Sequence, residues 1–257
     1  MTPPDGASAT VLALTASASL TEREIGLLEE MQASRLTFST RDTVIREGDH
    51  LEDCYFVRDG WLGRRRSTVD GERVMTNIYL PGDVFAVQVG FRRRALFDVV
   101  ALTDCELALV PWEELDKVLA NSPRIEAALD WNLVRAFNIV SEHIVGVTTR
   151  YASERILHLF LEHWCRLMVV GKADDSSFHL PLKQYEIGEI TGITSVSVSK
   201  SIRLLREEGL ITFKGGVVRF LDFERCFSYC DFDPGFLEMF QPRGNVDILE
   251  ITQKISD

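Results

Sequence analysis

The sequence predicts an α+β chain in three parts: a jelly-roll-like β-roll, a long helix and a C-terminal winged helix-turn-helix. Three observations carry this. First, turn signals at Glu47-Gly48-Asp49, Asp59-Gly60, Asp70-Gly71 and Pro81-Gly82-Asp83 recur every 10 to 12 residues, with Val, Ile, Tyr and Phe between them. Short strands at that spacing build a barrel or sandwich. Second, from Ile125 to Val147 no proline interrupts a row of side chains in steps of 4 and 3, which is helical periodicity. Third, the stretch from Leu182 to Phe220 reads helix, glycine turn, helix, hairpin.

Composition bounds the rest. The chain has 257 residues, 46% apolar and 26% charged, which excludes disordered and collagen-like chains and suggests about two domains. No apolar run approaches the roughly 18 residues of a membrane span, so no membrane partner is expected. Val11 to Ala16 is short and no Lys or Arg precedes it, unlike a signal peptide. Five cysteines without framework spacing point to a reduced, cytoplasmic protein. The net charge is −11, but steering depends on where charges sit.

In chain order, residues 1–19 are Thr-, Ala-, Ser- and Pro-rich and read as a flexible arm. Thr21 and Glu24 form a capping box for a helix carrying Ile25, Leu27, Leu28 and Met31. The β-roll with its flanking helices is placed at 20–120. Asn121-Ser122-Pro123 then starts the long helix, placed at 121–150. Its row is Leu129, Leu133, Ala136, Val140, His143 and Val147, a coiled-coil-like seam. Such a helix either crosses its own core or pairs with a copy of itself. A second long helix follows from Ala152, with Ile156, Leu157, Phe160, Leu161 and Trp164 on one face.

The DNA-binding reading comes from 151–222. A helix from Lys183 to Thr191 stops at Gly192, Thr194 caps a second helix to about Glu208, and Gly209 ends it. Two strands then flank Lys214-Gly215-Gly216. A second helix in this arrangement enters the major groove. Its outward residues are Ser195, Val196, Ser197, Ser199, Lys200 and Arg203; Thr194, Lys183 and Gln184 at the helix starts and Lys214 on the wing complete the candidate DNA-contact set. From Thr194 to Arg219 the local charge is +3, while Asp222 to Asp257 contributes −5. Residues 223–257 read as an acidic extension, with Phe232, Phe236, Leu237 and Phe240 to dock it.

The stretch Gln184-x-Glu186-Ile187-Gly188-x-Ile190-x-Gly192-x-Thr194-x-x-Ser197-Val198-Ser199-Lys200, continued by Leu204-x-x-Glu207-x-Gly209-Leu210-Ile211, resembles the helix-turn-helix signature of CRP/FNR bacterial transcription regulators. Upstream, Arg46-Glu47-Gly48-Asp49, Tyr55-Phe56-Val57-x-x-Gly60, Leu80-Pro81-Gly82-Asp83-Val84-Phe85 and Ala101-Leu102-Thr103-Asp104-Cys105-Glu106-Leu107 resemble that family's cyclic-nucleotide-binding-like sensor β-roll. The resemblance implies a homodimer joined through the long helix, two half-sites on double-stranded DNA, and RNA polymerase as a further partner.

The sequence departs from the cyclic-AMP-binding members. Where they carry a Gly-Glu pair for the ribose, Ala86 and Val87 stand; where they carry Arg-Ser for the phosphate, Ala95 and Leu96 stand. Cyclic-AMP dependence is therefore not expected. Arg92-Arg93-Arg94 and Arg64-Arg65-Arg66 read as solvated basic segments. No Cys precedes Cys54, so the N-terminal thiolates of the family's iron–sulfur members are missing. No cofactor and no metal is expected; Cys226 and Cys230 read as packing residues and His143 as a polar seam residue. In the recognition helix, Ser195 and Val196 replace the pair many relatives use on guanine and cytosine, so the half-site should differ. The effector stays unknown: an unidentified small molecule and a redox or haem input are both open. A cupin-like enzyme is disfavoured because His50 is the single histidine between Arg35 and Val110 and no nucleophile–base set is visible. A non-DNA-binding interaction module is the other alternative.

Overall fold

The computed structural model describes residues 6–71, 73–86 and 94–237. The chain divides into two compact units. Among the described residues, the first runs through Arg66 and from Thr76 to Val134; the second takes Ser67–Met75 and the residues from Arg135 to Leu237. The division falls inside the long helix.

The first unit opens with a correction. The expected flexible arm contains helix α1 (Ala9–Ser17), capped by Ser8, whose Oγ accepts from the Val11 N–H. Val11 and Leu14 are buried in a cluster with Leu28, Phe56 and Ala128. Small residues read as loose in sequence because Ala and Ser carry no amphipathic stripe; here they allow close approach to the core. Helix α2 (Glu22–Met31) has the expected capping box: the Thr21 N–H donates to Glu24 Oε2 at 2.8 Å. Burial would push the Glu24 carboxyl up, but bonds from Ser122 and Thr21 and the charge of Arg124 bring it down to about 2.

The β-roll consists of β1 (Arg35–Phe38), β2 (Thr43–Ile45), β3 (Asp53–Asp59), β4 (Leu62–Ser67), β5 (Arg73–Tyr79), β6 (Val84–Phe85), β7 (Asp98–Ala101) and β8 (Cys105–Pro111). They form two four-stranded sheets, ordered β1-β8-β3-β6 and β2-β7-β4-β5. Gly60 sits at φ +84, and a Cβ there would meet the Asp104 carbonyl at 2.3 Å, so this turn admits only glycine. The apolar interior includes Ile45, Val57, Leu62, Phe85, Val99 and Leu107. Helix α3 (Trp112–Leu119) follows, then α4 (Pro123–Thr149).

In the second unit, α5 (Ala152–Val169) is buried along nearly its whole circumference. Strands β9 (Ala173–Asp174), β10 (Ser177–His179), β11 (Ile211–Lys214) and β12 (Val217–Phe220) form a sheet ordered β11-β12-β10-β9. Helices α6 (Gln184–Thr191) and α7 (Ser195–Glu207) lie between β10 and β11 in sequence. The chain stays folded past Asp222. Asp222 caps α8 (Phe223–Cys230), and a 3-10 turn covers Pro234–Leu237. The Phe223 ring lies 4.6 Å from Trp164 of α5, tilted against it. Phe232 and Leu237 are buried, and the Phe236 ring lies 5.5 Å from His158. Aromatic burial holds this segment despite its acidic charge. Phe240 lies outside the described residues.

Candidate nucleic-acid interface

The turn between α6 and α7 is set by two glycines. Gly192 adopts φ +68 and ends α6. A Cβ on Gly188 would meet the Ile193 carbonyl at 2.5 Å. Thr194 caps α7, its Oγ1 accepting from the Ser197 N–H at 3.2 Å. Val198, Ile202 and Leu205 turn inward and are buried. Their periodicity leaves the opposite face to solvent.

On that face Ser195, Val196, Ser199, Lys200 and Arg203 are exposed, Val196 to 64%. Ser197 is partly buried, with its hydroxyl 3.0 Å from Thr194 Oγ1. Ser199 Oγ donates to Gln184 Oε1 at 2.5 Å, tying α7 to the first residue of α6. Gln184's amide N–H₂ is thereby left facing away from that bond. Arg203 Nε donates to Glu207 at 2.7 Å. The Lys183 N–H donates to Glu186 Oε2 at 2.7 Å, and its ammonium lies 6.0 Å from the Tyr185 ring. Lys214 is exposed and is the last residue of β11, paired with Val217. The two-residue turn is therefore Gly215-Gly216, both with positive φ, the pair a type I′ hairpin needs. The structure thus brings Gln184 and Ser199 into contact and leaves Val196 and Lys200 open.

Behind this face, Arg155 binds three carbonyls. Its guanidinium donates to Val147 and Arg150 at 3.0 Å each, and to Thr191 at 3.2 Å. It fastens the C-terminal end of α4 to the end of α6. Beside it lies a small cleft lined by residues including Glu142, His143, Val147, Arg150 and His158. Sequence reading missed this clamp, because an arginine serving three backbone carbonyls has no pattern signature.

The row expected as the seam of α4 meets several different surroundings. Leu129 is buried within the β-roll unit, against Ile125 and Ala128. His143 turns to α5, its Nε2 2.8 Å from Glu162 Oε2. Leu133, Ala136 and Val140 are partly buried, and Val147 is exposed. The apolar side chains left in solvent are instead Trp131, Val134, Phe137, Ile144, Val145 and Val147, with Phe137 at 72% and Ile144 at 60%. The reason is that α4 is apolar on more than one side. Steps of 4 and 3 find such a row but do not say which row the chain's own core takes.

Sequence reading also missed the charges inside α5. Glu162, His163 and Arg166 are buried there. Arg166 Nη1 donates to Glu162 Oε1 at 2.6 Å. Burial pushes the Glu162 carboxyl up, but His143 and Arg166 outweigh it and hold it below the usual range. Burial takes His163 down to about 3, against the pull of Glu162. The spacing of Glu162 and Arg166 is a visible signal of an ion pair; its burial is not.

In the β-roll, Ala95 is buried and Leu96 is 69% exposed. Ala86 adopts φ +62; Val87, Arg92 and Arg93 lie outside the described residues. Arg94 donates to the Gly48 carbonyl at 3.0 Å. Tyr55 and Tyr79 each stack on Phe85, at 5.0 and 4.5 Å. Cys226 and Cys230 are both buried in α8, and burial raises Cys226 to about 12, as for inert packing thiols. Among the described residues no group of three His, Cys, Asp or Glu side chains is placed to hold a metal, and no helix is long and apolar enough to cross a membrane.

Comparison with known proteins matches this geometry. Residues 35–122 match the cyclic nucleotide-binding domain and residues 154–225 the Crp-like helix-turn-helix domain. The chain is 25% identical to the nitrogen fixation regulation protein FixK of Bradyrhizobium diazoefficiens, over 86% of this chain and 93% of that one. It is 24% identical to the transcriptional activator protein FnrA of Stutzerimonas stutzeri, over 79% of this chain and 83% of that one. Among solved structures, FixK2 from Bradyrhizobium japonicum superposes with a TM-score of 0.67 at 22% identity, covering 76% of this chain and 96% of that one. A CRP-family regulator from Thermus thermophilus gives 0.61 at 20% identity, covering 77% and 97%. With a cyclic nucleotide-binding domain followed by a Crp-like helix-turn-helix, the chain belongs to the CRP/FNR-type DNA-binding transcription regulators.

Proposed function

We propose that this regulator acts as a cytoplasmic homodimer on a two-fold-symmetric DNA site, without cyclic AMP, and that it meets RNA polymerase there. The observation that carries the dimer is the exposed stripe of Trp131, Val134, Phe137 and Ile144 on α4. Such a contiguous apolar face on one helix favours a matching copy. Two DNA-binding modules joined through it gain by effective concentration, so a small change in their pose changes affinity strongly. The Arg155 clamp is placed to pass such a change from α4 to α6.

Each α7 enters a major groove. Val196 makes apolar contact with a thymine methyl, and Ser195 serves as an adaptable donor or acceptor. Lys200 contacts a base or phosphate and Lys214 a phosphate from the wing. Gln184, oriented by Ser199, and Lys183 hold the backbone, and Thr194 and Ser197 preorganise the first turn of α7. Arg203 reaches a phosphate on leaving Glu207. Cyclic AMP is excluded because Ala95 and Leu96 offer no charge for its phosphate.

The test is selection of bound DNA from a randomised duplex pool with effector-free protein at physiological salt. Enrichment of a two-fold-symmetric site that differs from CRP and FNR half-sites is expected. A single half-site bound by a monomer overturns the dimer reading. Calorimetry with micromolar cyclic AMP should give no heat of binding.

A further inference from the structure

The chain after β12 runs past residue 225, where the Crp-like helix-turn-helix match ends, and makes contacts that a helix-turn-helix does not itself require. All of them fall within the second unit. At its first turn, α8 holds the end of the recognition helix. Arg225 Nη2 donates at 3.0 Å to the carbonyl of Glu208, the residue that closes α7. Cys226 Sγ donates to the Leu210 carbonyl at 3.4 Å. Eight residues of helix, roughly 12 Å, then carry the chain to the link between α4 and α5. There Tyr229 Oη lies 3.0 Å from Ser153 Oγ in the first turn of α5. Asp231 takes the left-handed backbone (φ +50) that ends α8, and its carbonyl accepts from Arg150 Nη2 at 3.3 Å. Phe232 and Phe236 pack on His158 of α5, with ring centres 4.9 and 5.5 Å away.

The link itself is Arg150 and Tyr151, the two residues between α4 and α5. Each residue contributes two soft dihedrals, so the pair is a hinge unless side chains hold it. Arg150 is the node that holds it. Its Nη2 also donates to Glu142 Oε2 at 3.0 Å, two turns back in α4. Its carbonyl accepts from Arg155 Nε at 3.0 Å, and its side chain is only 10% exposed. His158 completes the knot, with Nε2 3.5 Å from Glu142 Oε2. A guanidinium bonded to a carboxylate is a strong and directional contact. Burial of Phe223, Cys226 and Cys230 accounts for α8 as core packing. It does not account for the chain turning at Asp231 to cover the hinge.

We propose that Asp222–Leu237 is a strut that fixes the angle between the last turns of α4 and the recognition helix, with Arg150 as its positioning residue and Phe236 as its outer stop. The inference rests on the reading of the protein as a dimer on two half-sites and adds what sets their separation. A fixed angle lets both modules reach their half-sites at one spacing. A loose hinge lowers the effective concentration at that spacing and raises it at others.

The test compares full-length wild type, Arg150→Gln and Phe236→Ala in two measurements. The first is affinity for the selected symmetric duplex and for versions with the half-sites moved apart by two base pairs, which turns one of them by about 70° around the duplex. Wild type should lose about 100-fold on that change and both variants less than about 10-fold. A base change inside one half-site should cost all three proteins alike. The second is hydrogen exchange without DNA. Amides 147–152 should exchange about 10-fold faster in the variants, while those of α7 keep the wild-type rate. A segment that only stabilised the fold would speed α7 as well and leave the spacing preference intact. The proposal is overturned if either folded variant keeps the wild-type spacing preference, or if the hinge amides speed up only together with α7 or not at all. If one variant does not fold, the other carries both measurements. If wild type itself binds every spacing alike or selects no site, the two-half-site reading falls, and the exchange experiment still decides the strut: selective loosening of the hinge supports it, unchanged rates overturn it.

Discussion

An ion pair inside α5 and a half-buried arginine on β4 show two ways of placing charge in the two units. In the DNA-binding unit, α5 carries Glu162, His163 and Arg166 into the interior, and the acid is answered by Arg166 at 2.6 Å and His143 at 2.8 Å. In the β-roll unit, the half-buried Arg64 has the Thr76 and Tyr79 hydroxyls and the Phe97 ring for company. A buried charge matched by the chain's own side chains belongs to the architecture, and its loss unfolds something. A half-exposed charge set among neutral groups keeps part of its hydration, and its loss should cost little stability. The contrast follows from the elements themselves. A helix buried all round can place an acid and a base four residues apart on one face. A strand sends neighbours to opposite faces and must find its counter-charge elsewhere.

The strongest way to break this comparison is Glu162→Ala. It leaves Arg166 buried without its acid, a loss of about 3–5 kcal/mol, read as a Tm lower by about 10 °C. A loss no larger than that of R64M would erase the difference between the units. Acidification should act on the same unit. His163 is held neutral, with its titration depressed from the ordinary 6.5 to about 3. The unfolded chain takes up that proton first, so stability is complete above about pH 6.5 and falls as pH drops toward 3. The slope reaches about 1.4 kcal/mol per pH unit where only the unfolded form is protonated. Glu142, lowered to about 2 by bonds from His158 and Arg150 against its partial burial, adds a loss of the same sign below about pH 4.5. Urea titrations between pH 7 and 4 check this; a flat profile would show that His163 is not held neutral.

Phe137→Asp probes the exposed stripe of α4. It should shift sedimentation from dimer to monomer while leaving the far-ultraviolet spectrum unchanged, whereas Leu129→Asp should unfold the roll. Equal unfolding by both would show that the stripe belongs to the chain's own core. Lys214→Ala should weaken all duplexes alike and reduce the slope of log affinity against log salt by about one. A changed sequence preference would instead make Lys214 a base reader. The smallest effect expected is Ser8→Ala, which removes the cap of α1 and costs about 1 kcal/mol in the roll unit alone; no loss would mean that α1 adds little to that unit.

Much of the DNA-binding face was legible from local rules. The cap at Thr194, glycines at 192, 209, 215 and 216, and the inner row Val198, Ile202 and Leu205 each report a neighbour a few residues away. The roll's turns were legible for the same reason. The N-terminal helix was not, because its signal is packing against Leu28 and Phe56, distant in sequence. The role of Ser199 was half legible: its exposure follows from helical phase, but its bond to Gln184 spans 15 residues. Which apolar side chains of α4 stay exposed was not legible, since periodicity is blind to which apolar face the rest of the chain covers.

By itself the sequence determined the order of the elements, their caps and turns, and the basic face of α7, because these depend on backbone dihedrals and on hydrogen bonds closed within a few residues. Only the tertiary structure decided which side of α4 stays open, that Arg155 clamps α4 to α6, and that Glu162 is matched by Arg166 and His143. Burial and charge pairing are properties of residues brought together from far along the chain, and no local pattern records them.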